Sequence, residues 1–292
     1  MIVGVVDVGS NTVRLLVARQ GPAGLVCVEQ AGTRLGLGEE IERRGRISET
    51  KIAAAAKTVR KLVALARKRG ATTVEVVVTA PGRQSGNGQE LVAALERAAA
   101  GPVRVLSSDE EGRFAYRGAI AAAGPLPATI AVCDVGGAST EIAVGRPDGE
   151  PAWLRSVELG AVRLTERALA FGATHDRGVE EARLIVGDAF AGLAPPLPNA
   201  VLAAGGTARA LRKLVGPTLG AVELAAAEHI LRKAPLGEVA RRYRIDRSRV
   251  RILLAGALLH AEVQRRLAVP LTVARGGLRE GLALEQLESV AA

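Results

Sequence analysis

An α/β protein made of two related lobes around a central cleft is the fold class predicted by this 292-residue sequence. Three observations lead there. The first is a motif that occurs twice: Ile2-Val-Gly-Val-Val-Asp7-Val-Gly9-Ser-Asn-Thr-Val-Arg14-Leu-Leu-Val-Ala18 and Ile130-Ala-Val-Cys-Asp134-Val-Gly136-Gly-Ala-Ser-Thr-Glu141-Ile-Ala-Val-Gly145. Each copy reads as an apolar strand, Asp-x-Gly, a few small or hydroxyl residues, one charged residue and a second apolar strand. The second observation is the alternation of strand-like and helix-like segments through the first part of the chain. The third is length, which suffices for about two domains that each bury a core. The reading places a first lobe at 1–123, a second at 124–279, and a terminal helix near 280–292 that packs back on the first.

The elements follow from local pattern. Val3 to Val17 reads as a hairpin, Val26 to Gln30 continues the sheet, and Thr33 to Glu39 is a glycine-broken loop. Ser48 caps a helix over Lys51 to Lys68, with Ile52, Val59, Leu62, Val63 and Leu65 in a helical stripe and Gly70 as its stop. Val74 to Thr79 is short and β-branched, hence a buried strand. Pro81 to Gly88 is a loop carrying Arg83, Gln89 to Ala100 a helix, and Val103 to Leu106 a strand. Ser107 or Ser108 caps a helix with Asp109, Glu110 and Glu111 in its first turn. Composition shifts at Gly124-Pro-Leu-Pro127, where the second lobe opens. Val201 to Ala204 is a strand ending at Gly205-Gly206-Thr207, Glu223 to Val269 is mainly helical, and Leu271 to Ala274 is a last strand.

Composition excludes several function classes. With 48% hydrophobic and 24% charged residues the chain reads as soluble and globular. Aromatics are 2%, too few for a protein that reads bases by stacking, and nucleic acid is not an expected partner. No apolar stretch reaches the ~20 residues that span a bilayer, and the first motif leaves no room for a signal peptide. A cytoplasmic location is the expectation. Cys27 and Cys133 both lie in strand-like runs and read as buried free thiols. His175, His229 and His260 show no ligand spacing. The net charge of +9 suits a polyanionic partner, yet only six of the 39 basic residues are lysines, as a GC-rich coding bias would produce. The run Arg241 to Arg251 reads either as a polyanion track or as a solvated face.

An acid at the end of a buried strand, followed by a glycine turn, sets a carboxylate beside free backbone N–H groups. That arrangement holds a phosphate and a divalent cation together. Three glycine turns follow apolar strands here, at Gly9, Gly136-Gly137 and Gly205-Gly206, and a helix N-terminus after Thr207 adds partial positive charge. One such turn is commonly only a turn; three together point to phosphate.

The pattern resembles the actin and hexokinase superfamily, with two actin-like (ribonuclease H-like) lobes. Asp7-Val-Gly-Ser-Asn-Thr-Val-Arg14, Ser107-Ser-Asp-Glu-Glu111-Gly-Arg113, Asp134-Val-Gly-Gly-Ala-Ser-Thr-Glu141, Gly205-Gly-Thr207 and Gly277-Leu-Arg-Glu-Gly281 resemble, in order, the motifs of the exopolyphosphatase/guanosine pentaphosphate phosphohydrolase family. The resemblance implies hydrolysis of a terminal phosphoanhydride bond of inorganic polyphosphate or guanosine pentaphosphate, with Mg²⁺, or Mn²⁺ in its place. It implies Glu111 as the catalytic glutamate that activates water, and Asp134 and Glu141 as an acidic pair that places the water and, with Asp7, binds metal. Ser10, Asn11, Arg83, Gly136, Gly137, Ser139, Thr140, Gly205, Gly206 and Thr207 match phosphate-binding positions. Ser/Thr hydroxyls in turns bond their own backbone just as readily. A homodimer is implied by the resemblance alone.

Four departures stand out. Ala138 replaces a third glycine, Gly112 replaces an alanine and should loosen its helix by up to ~1 kcal/mol, Pro81-Gly82 replaces a more regular run, and Arg247 to Arg251 fits only loosely. The chain ends where the two-lobe core ends, which favours short chains. Two other readings compete: a low-turnover sensor of guanosine tetra- or pentaphosphate, and a phosphotransferase of the same superfamily.

Overall fold

The structure is a computed structural model that describes residues 1–22, 24–169 and 176–289. His175 and the last three residues of the expected terminal helix lie outside them. The first sheet begins with an antiparallel meander of β1 (Ile2–Val8), β2 (Thr12–Gly21) and β3 (Gly24–Arg34). Helices α1 (Leu37–Arg44) and α2 (Glu49–Lys68) lead to β4 (Thr73–Val78), which returns parallel to β1. Helices α3 (Ala80–Gln84) and α4 (Gly88–Ala99) lead to β5 (Val103–Val105), parallel to β4, and α5 (Ser108–Ala121) follows. The strand order is β3-β2-β1-β4-β5.

The second sheet repeats this plan. An antiparallel meander of β6 (Ile130–Val135), β7 (Thr140–Gly145) and β8 (Pro151–Val157) precedes α6 (Ala161–Ala168) and α7 (Asp176–Ala189). Strand β9 (Ala200–Ala204) then pairs parallel with β6. Next come α8 (Gly205–Val215), β10 (Thr218–Leu219), α9 (Ala221–Lys233), α10 (Leu236–Tyr243), α11 (Arg247–Arg251) and α12 (Leu253–Leu267). Strand β11 (Leu271–Val273) pairs parallel with β9 and antiparallel with β10, and α13 (Leu278–Ser289) ends the described chain. The order β10-β11-β9-β6-β7-β8 matches the first sheet strand for strand, with β10 added at one edge.

Sequence explains the elements directly. Strands β1 and β6 lie inside their sheets, so their residues are apolar on both faces. In α2 the Ser48 hydroxyl accepts from Lys51 N at 3.4 Å, and Ile52, Val59, Leu62 and Val63 turn inward. Each such side chain gains roughly 1.5–3 kcal/mol on full burial. Helix α5 opens with a reciprocal cap: Glu110 N donates to Ser107 Oγ, and Ser107 N donates to Glu110 Oε2 at 2.8 Å.

Helix α5 also joins the two sheets. Phe114 packs into a core with Val3, Leu16 and the α13 residues Leu282 and Leu287. Tyr116 and Ala119, on its other side, enter a core with Ile130, Val132 and Leu202. Where helices α5 and α13 approach most closely, the contact is made by glycine. A Cβ on Gly118 would lie 2.0 Å from the Gly277 carbonyl oxygen, and one on Gly281 would lie 2.1 Å from that of Phe114.

Three local expectations change, and one strand, β8, is found where none was expected. The Thr33–Glu39 segment is a strand end and a helix start, because β3 runs to Arg34 and α1 begins at Leu37 behind a left-handed Gly36. Arg83 lies on the short α3, with Pro81 in its first turn, where proline costs no hydrogen bond. Strand β8 escapes the pattern because Pro151, Arg155 and Ser156 interrupt its apolar residues. Cys133 is buried, but Cys27 is exposed, since β3 is an edge strand whose middle residues face solvent. Among the described residues, no helix is long and apolar enough to cross a membrane.

Candidate active site

The repeated hairpins meet tip to tip over a cavity between the sheets. In each, the glycine N–H closes the turn: Gly9 N donates to the Thr12 carbonyl at 3.1 Å, and Gly136 N to the Ser139 carbonyl at 3.0 Å. A Cβ on Gly137 would lie 3.0 Å from Ser10 Cβ, so the two turns touch. Pairing sets Asp7 opposite Arg14 and Asp134 opposite Glu141. Residues directly opposite in a ladder share a face, and all four line the cavity. Ser10 and Asn11 are buried in its wall.

The third turn comes from β9. Gly205 has φ +83°, and a Cβ there would lie 2.2 Å from Asp134 Oδ1. Only glycine lets the N-terminus of α8 descend onto that aspartate, bringing its unpaired N–H groups to the cavity. Gly136, Gly137, Ser139, Gly205 and Gly206 therefore line one wall together.

Glu111 reaches the cavity from the first turn of α5. Arg83 holds it from behind: Nη1 donates to Glu111 Oε1 at 2.5 Å and also bonds the Leu106 carbonyl, while Nη2 donates to Ser108 Oγ at 3.0 Å. Burial lifts the Glu111 carboxyl well above the ordinary range, helped by the Glu141 charge and opposed by Arg83. Glu141 is pushed up to about 7, chiefly by burial; the Ser139 and Ser156 hydroxyls counteract this, and Asp134 adds to it. Asp7 rises to about 6 by burial, against the pull of Arg279 and Arg14. Burial raises Asp134 as well. Four carboxyls thus share a space where each resists ionising without a compensating cation.

The structure does not bring every expected residue into the cavity. Thr140 is fully buried, and its hydroxyl donates to the Leu159 carbonyl at 2.7 Å. Strand alternation explains this, since Glu141 next to it faces the cavity and Thr140 must face away. Thr207 lines the wall, but its hydroxyl donates to the Val135 carbonyl at 2.9 Å, leaving no proton for a phosphate oxygen. Arg83 lies beside Glu111 and not on the cavity surface, because α3 runs against the start of α5.

Other residues enter that the sequence reading left without a role. Arg14, Arg209, Arg249, Arg279 and Glu280 all line the cavity. Arg279 is 6% exposed and donates to the Leu15 carbonyl at 3.1 Å, while Glu280 Oε2 accepts from Gly277 N at 3.0 Å. Arg14 had a readable signal, standing seven residues after Asp7 as Glu141 stands after Asp134. Within the basic run 241–251, Arg249 faces the cavity, Arg251 Nη2 pairs with Glu166 at 2.6 Å, and Arg241, Arg242, Arg244 and Arg247 are exposed. Of the departures, Ala138 is buried in the wall. Gly112 makes room for Leu154, whose Cδ1 would lie 2.8 Å from a Cβ there.

The donor set suits a hard divalent cation. Asp7, Asp134 and Glu141 supply carboxylate oxygens, and Asp7 Oδ1 is a buried acceptor with no hydrogen-bond partner. Among the described residues no three His, Cys, Asp or Glu side chains converge closely enough to hold an ion alone. Magnesium characteristically takes one or two carboxylates and completes its shell with water and substrate phosphates, and these residues fit that mode. Asn11 offers the matching donor: its Oδ1 accepts from Arg34 Nε at 3.1 Å, while its buried Nδ2 has no partner.

A sequence model of the Ppx/GppA phosphatase family matches residues 16–290. Exopolyphosphatase 2 of Mycobacterium tuberculosis is 32% identical over 197 residues, covering 63% of this chain and 60% of the relative's length. Exopolyphosphatase 1 of Mycobacterium bovis is 26% identical over an alignment of 310 positions, covering 100% of this chain and 90% of that protein. The fold matches a Ppx/GppA family member from Aquifex aeolicus with a TM-score of 0.81 at 24% identity, over 99% of this chain and 98% of that one. It matches an exopolyphosphatase from Cytophaga hutchinsonii with a TM-score of 0.86 at 20% identity, over 99% and 98% of the two chains.

Proposed function

The chain belongs to the Ppx/GppA phosphatase family, and from that premise we propose that it hydrolyses the terminal phosphoanhydride bond of inorganic polyphosphate, guanosine pentaphosphate or both. The observation that carries this reading is the meeting, in one cavity between the sheets, of three glycine turns with Glu111. Backbone N–H groups and the Asn11 amide suit the oxygens of a terminal phosphoryl group. Glu111 stands where it can orient a water molecule and take its proton. The water oxygen forms the new bond to phosphorus as the bond to the bridging oxygen breaks, and the shortened chain leaves with that electron pair.

A base whose carboxyl is raised by its surroundings is better matched to a proton transfer near neutral pH than an ordinary glutamate. Arg83 keeps Glu111 oriented and offsets part of the rise. One or two of the carboxylates of Asp7, Asp134 and Glu141 would hold magnesium, or manganese in its place, with water and substrate phosphates completing the shell, and the ion would supply positive charge to the phosphate oxygens. The rest of catalysis is positioning and charge complementarity by preorganised groups.

The test is Mg²⁺-dependent phosphate release from short polyphosphate, long polyphosphate and guanosine pentaphosphate, with Glu111→Gln in parallel. Loss of the general base should cost roughly 10²–10⁴-fold in kcat, with an unchanged melting temperature. Release that persists in the variant would remove Glu111 from the reaction. Phosphate that passes from ATP to an organic acceptor, and not to water, would favour a phosphotransferase.

A further inference from the structure

Arg163 does not line the cavity, yet this charged residue is only 6% exposed. It stands in the first turn of α6, and the entry to that helix rests on the second glycine turn. Ala161 N donates to the Gly136 carbonyl at 2.9 Å, while Val162 N and Arg163 N donate to that of Gly137 at 2.8 and 3.1 Å. A Cβ on Gly160 would lie 2.5 Å from the Gly137 carbonyl carbon, so helix and turn are in direct contact. The backbone of Arg163 is thereby fixed to Gly136 and Gly137.

Its side chain reaches into the first lobe. Nε donates to Glu42 of α1, Nη2 to Gln84 Oε1 of α3 at 2.6 Å, and Nη1 to the Glu158 carbonyl at 2.7 Å. Gln84 Nε2 closes the circuit by donating to Glu158 Oε2 at 3.1 Å. A planar guanidinium can hold partners on three segments at once in fixed directions, which an ammonium cannot. Arg43 also pairs with Glu166 at 2.7 Å and Arg167 with Glu42 at 3.4 Å, so α6 meets α1 through several ions. Of these side chains, Arg163 is the one bonded to α3.

The recipient gives that bond its importance. Helix α3 has five residues, too few to keep its shape unaided. The segment after it is tied within the first lobe: Gly86 N donates to the Gly45 carbonyl at 2.9 Å, and Asn87 exchanges two hydrogen bonds with the Ile47 backbone, each of 2.9 Å. Gln84 supplies the tie to the second lobe. The residue before it, Arg83, holds Glu111 Oε1 at 2.5 Å and Ser108 Oγ at 3.0 Å. We infer that Arg163 is a positioning residue: through Gln84 and Arg83 it makes the aim of Glu111 depend on where the second glycine turn sits. The inference rests on the hydrolase reading above. Glu111 and Arg83 belong to the first lobe and the turn at Gly136-Gly137 to the second, so a general base and a phosphate cradle on separate lobes need such a link to stay in register.

The experiment compares kcat and KM for phosphate release from polyphosphate in the wild type and in variants of this link. Gln84→Met cuts the link alone and should lower kcat about 10-fold while KM moves less than about threefold. Arg163→Lys keeps the charge beside Glu42 but loses the fork, and should lower kcat by about 10- to 100-fold; if it fails to fold, Gln84→Met decides. Gln84→Glu restores an acceptor for Arg163 and should bring kcat back to within about threefold of the wild type. Glu42→Gln, which keeps an acceptor for Nε, should also stay within about threefold. In an Arg83→Gln background, Gln84→Met should cost nothing further, because its route to Glu111 is already cut. An unchanged kcat in Gln84→Met, a loss in Gln84→Glu as large as in Gln84→Met, or losses that add in the double variant would overturn the inference. If no substrate releases phosphate, the hydrolase reading fails, and amide hydrogen exchange of Gln84→Met decides separately. Faster exchange in both α3 and the first turn of α5 keeps the link, and exchange unchanged at α5 ends it.

Discussion

The β1–β2 and β6–β7 hairpins have the same backbone. Each closes with a glycine N–H on the carbonyl three residues later, at 3.1 and 3.0 Å, and each sets an aspartate opposite the residue seven positions on. At that one ladder position the first hairpin carries Arg14 and the second carries Glu141. Repetition supplied two equivalent scaffolds, and a single register position gave them opposite charge. Because the hairpins face each other, this difference divides one cavity into an end suited to cations and water activation and an end suited to phosphate. The strands that follow diverge too: β9 runs into Gly205 at φ +83°, whereas β4 runs into Thr79 at φ −100°. Only the second lobe thereby brings a helix of more than two turns onto its aspartate.

Glu141→Gln strikes the comparison hardest, since it removes the charge that distinguishes the second hairpin while keeping its shape. Loss of a preorganised charge at a phosphoryl-transfer site should cost roughly 10²–10³-fold in kcat. Ser156 Oγ donates to Glu141 Oε1 at 2.8 Å and can still donate to the amide oxygen, so the fold should hold. Steady-state phosphate release at saturating substrate measures it. A change confined to KM would mean that both hairpins serve binding alone and that their charges are not specialised.

Asp7→Asn tests the first hairpin through stability. Asp7 is raised from 3.8 to about 6 in the folded protein, so between those values the native state holds a proton that the unfolded chain releases. Stability from this group is therefore present at low pH and lost as pH rises through about 6, by roughly 3 kcal/mol for a shift of this size. His260 works in the opposite direction: burial lowers it from 6.5 to about 4, so its contribution is lost as pH falls through that window. Comparing the melting temperatures of the wild type and Asp7→Asn at pH 5 and pH 8, without divalent cation, cancels the histidine. The variant should exceed the wild type at pH 5 by about half of the Asp7 loss, since pH 5 already lies between its two values, and at pH 8 by all of it. Magnesium at pH 8 should then stabilise the wild type more than the variant. A difference that does not change with pH would show that Asp7 stays ionised throughout.

Both hairpins are legible in the sequence because a glycine turn after a buried acid leaves a fixed local signature, and so is α5, whose cap residues lie within one turn. Asp134 and Glu141 stand out for that reason, whereas Glu111 is singled out only by the family resemblance, because a first-turn glutamate by itself reads as one that complements the helix dipole. The cationic end is harder to see. Arg209 and Arg249 come from helices far apart in the chain, and nothing local separates them from Arg212 or Arg247, which face elsewhere. Arg14 shows its meaning only once β1 is paired with β2 and its position is set against Glu141. Thr140 teaches the reverse lesson, since a residue adjacent to Glu141 in a strand must point to the other face whatever its motif suggests. The edges were hidden because burial of Cys27 depends on whether a helix covers β3, a tertiary fact.

Those edges provide the mildest test. Strands β3 and β8 are counterparts, yet β3 leaves Val26, Cys27 and Val28 in solvent, while β8 presses Leu154 against α5 at Gly112. Gly112→Ala would gain up to about 1 kcal/mol of helix propensity and would have to displace Leu154 Cδ1, 2.8 Å from the new Cβ. That atom is the end of a flexible side chain, so the two effects should nearly cancel, and thermal unfolding should change by less than about 1 kcal/mol. Phosphate release should stay within about threefold. A 10-fold fall in kcat at unchanged stability would carry a different meaning, because the residue before Gly112 is Glu111. The edge strand of the second lobe would then be setting the aim of that glutamate, and the lobes would be coupled through Leu154 as well as through the shared cavity.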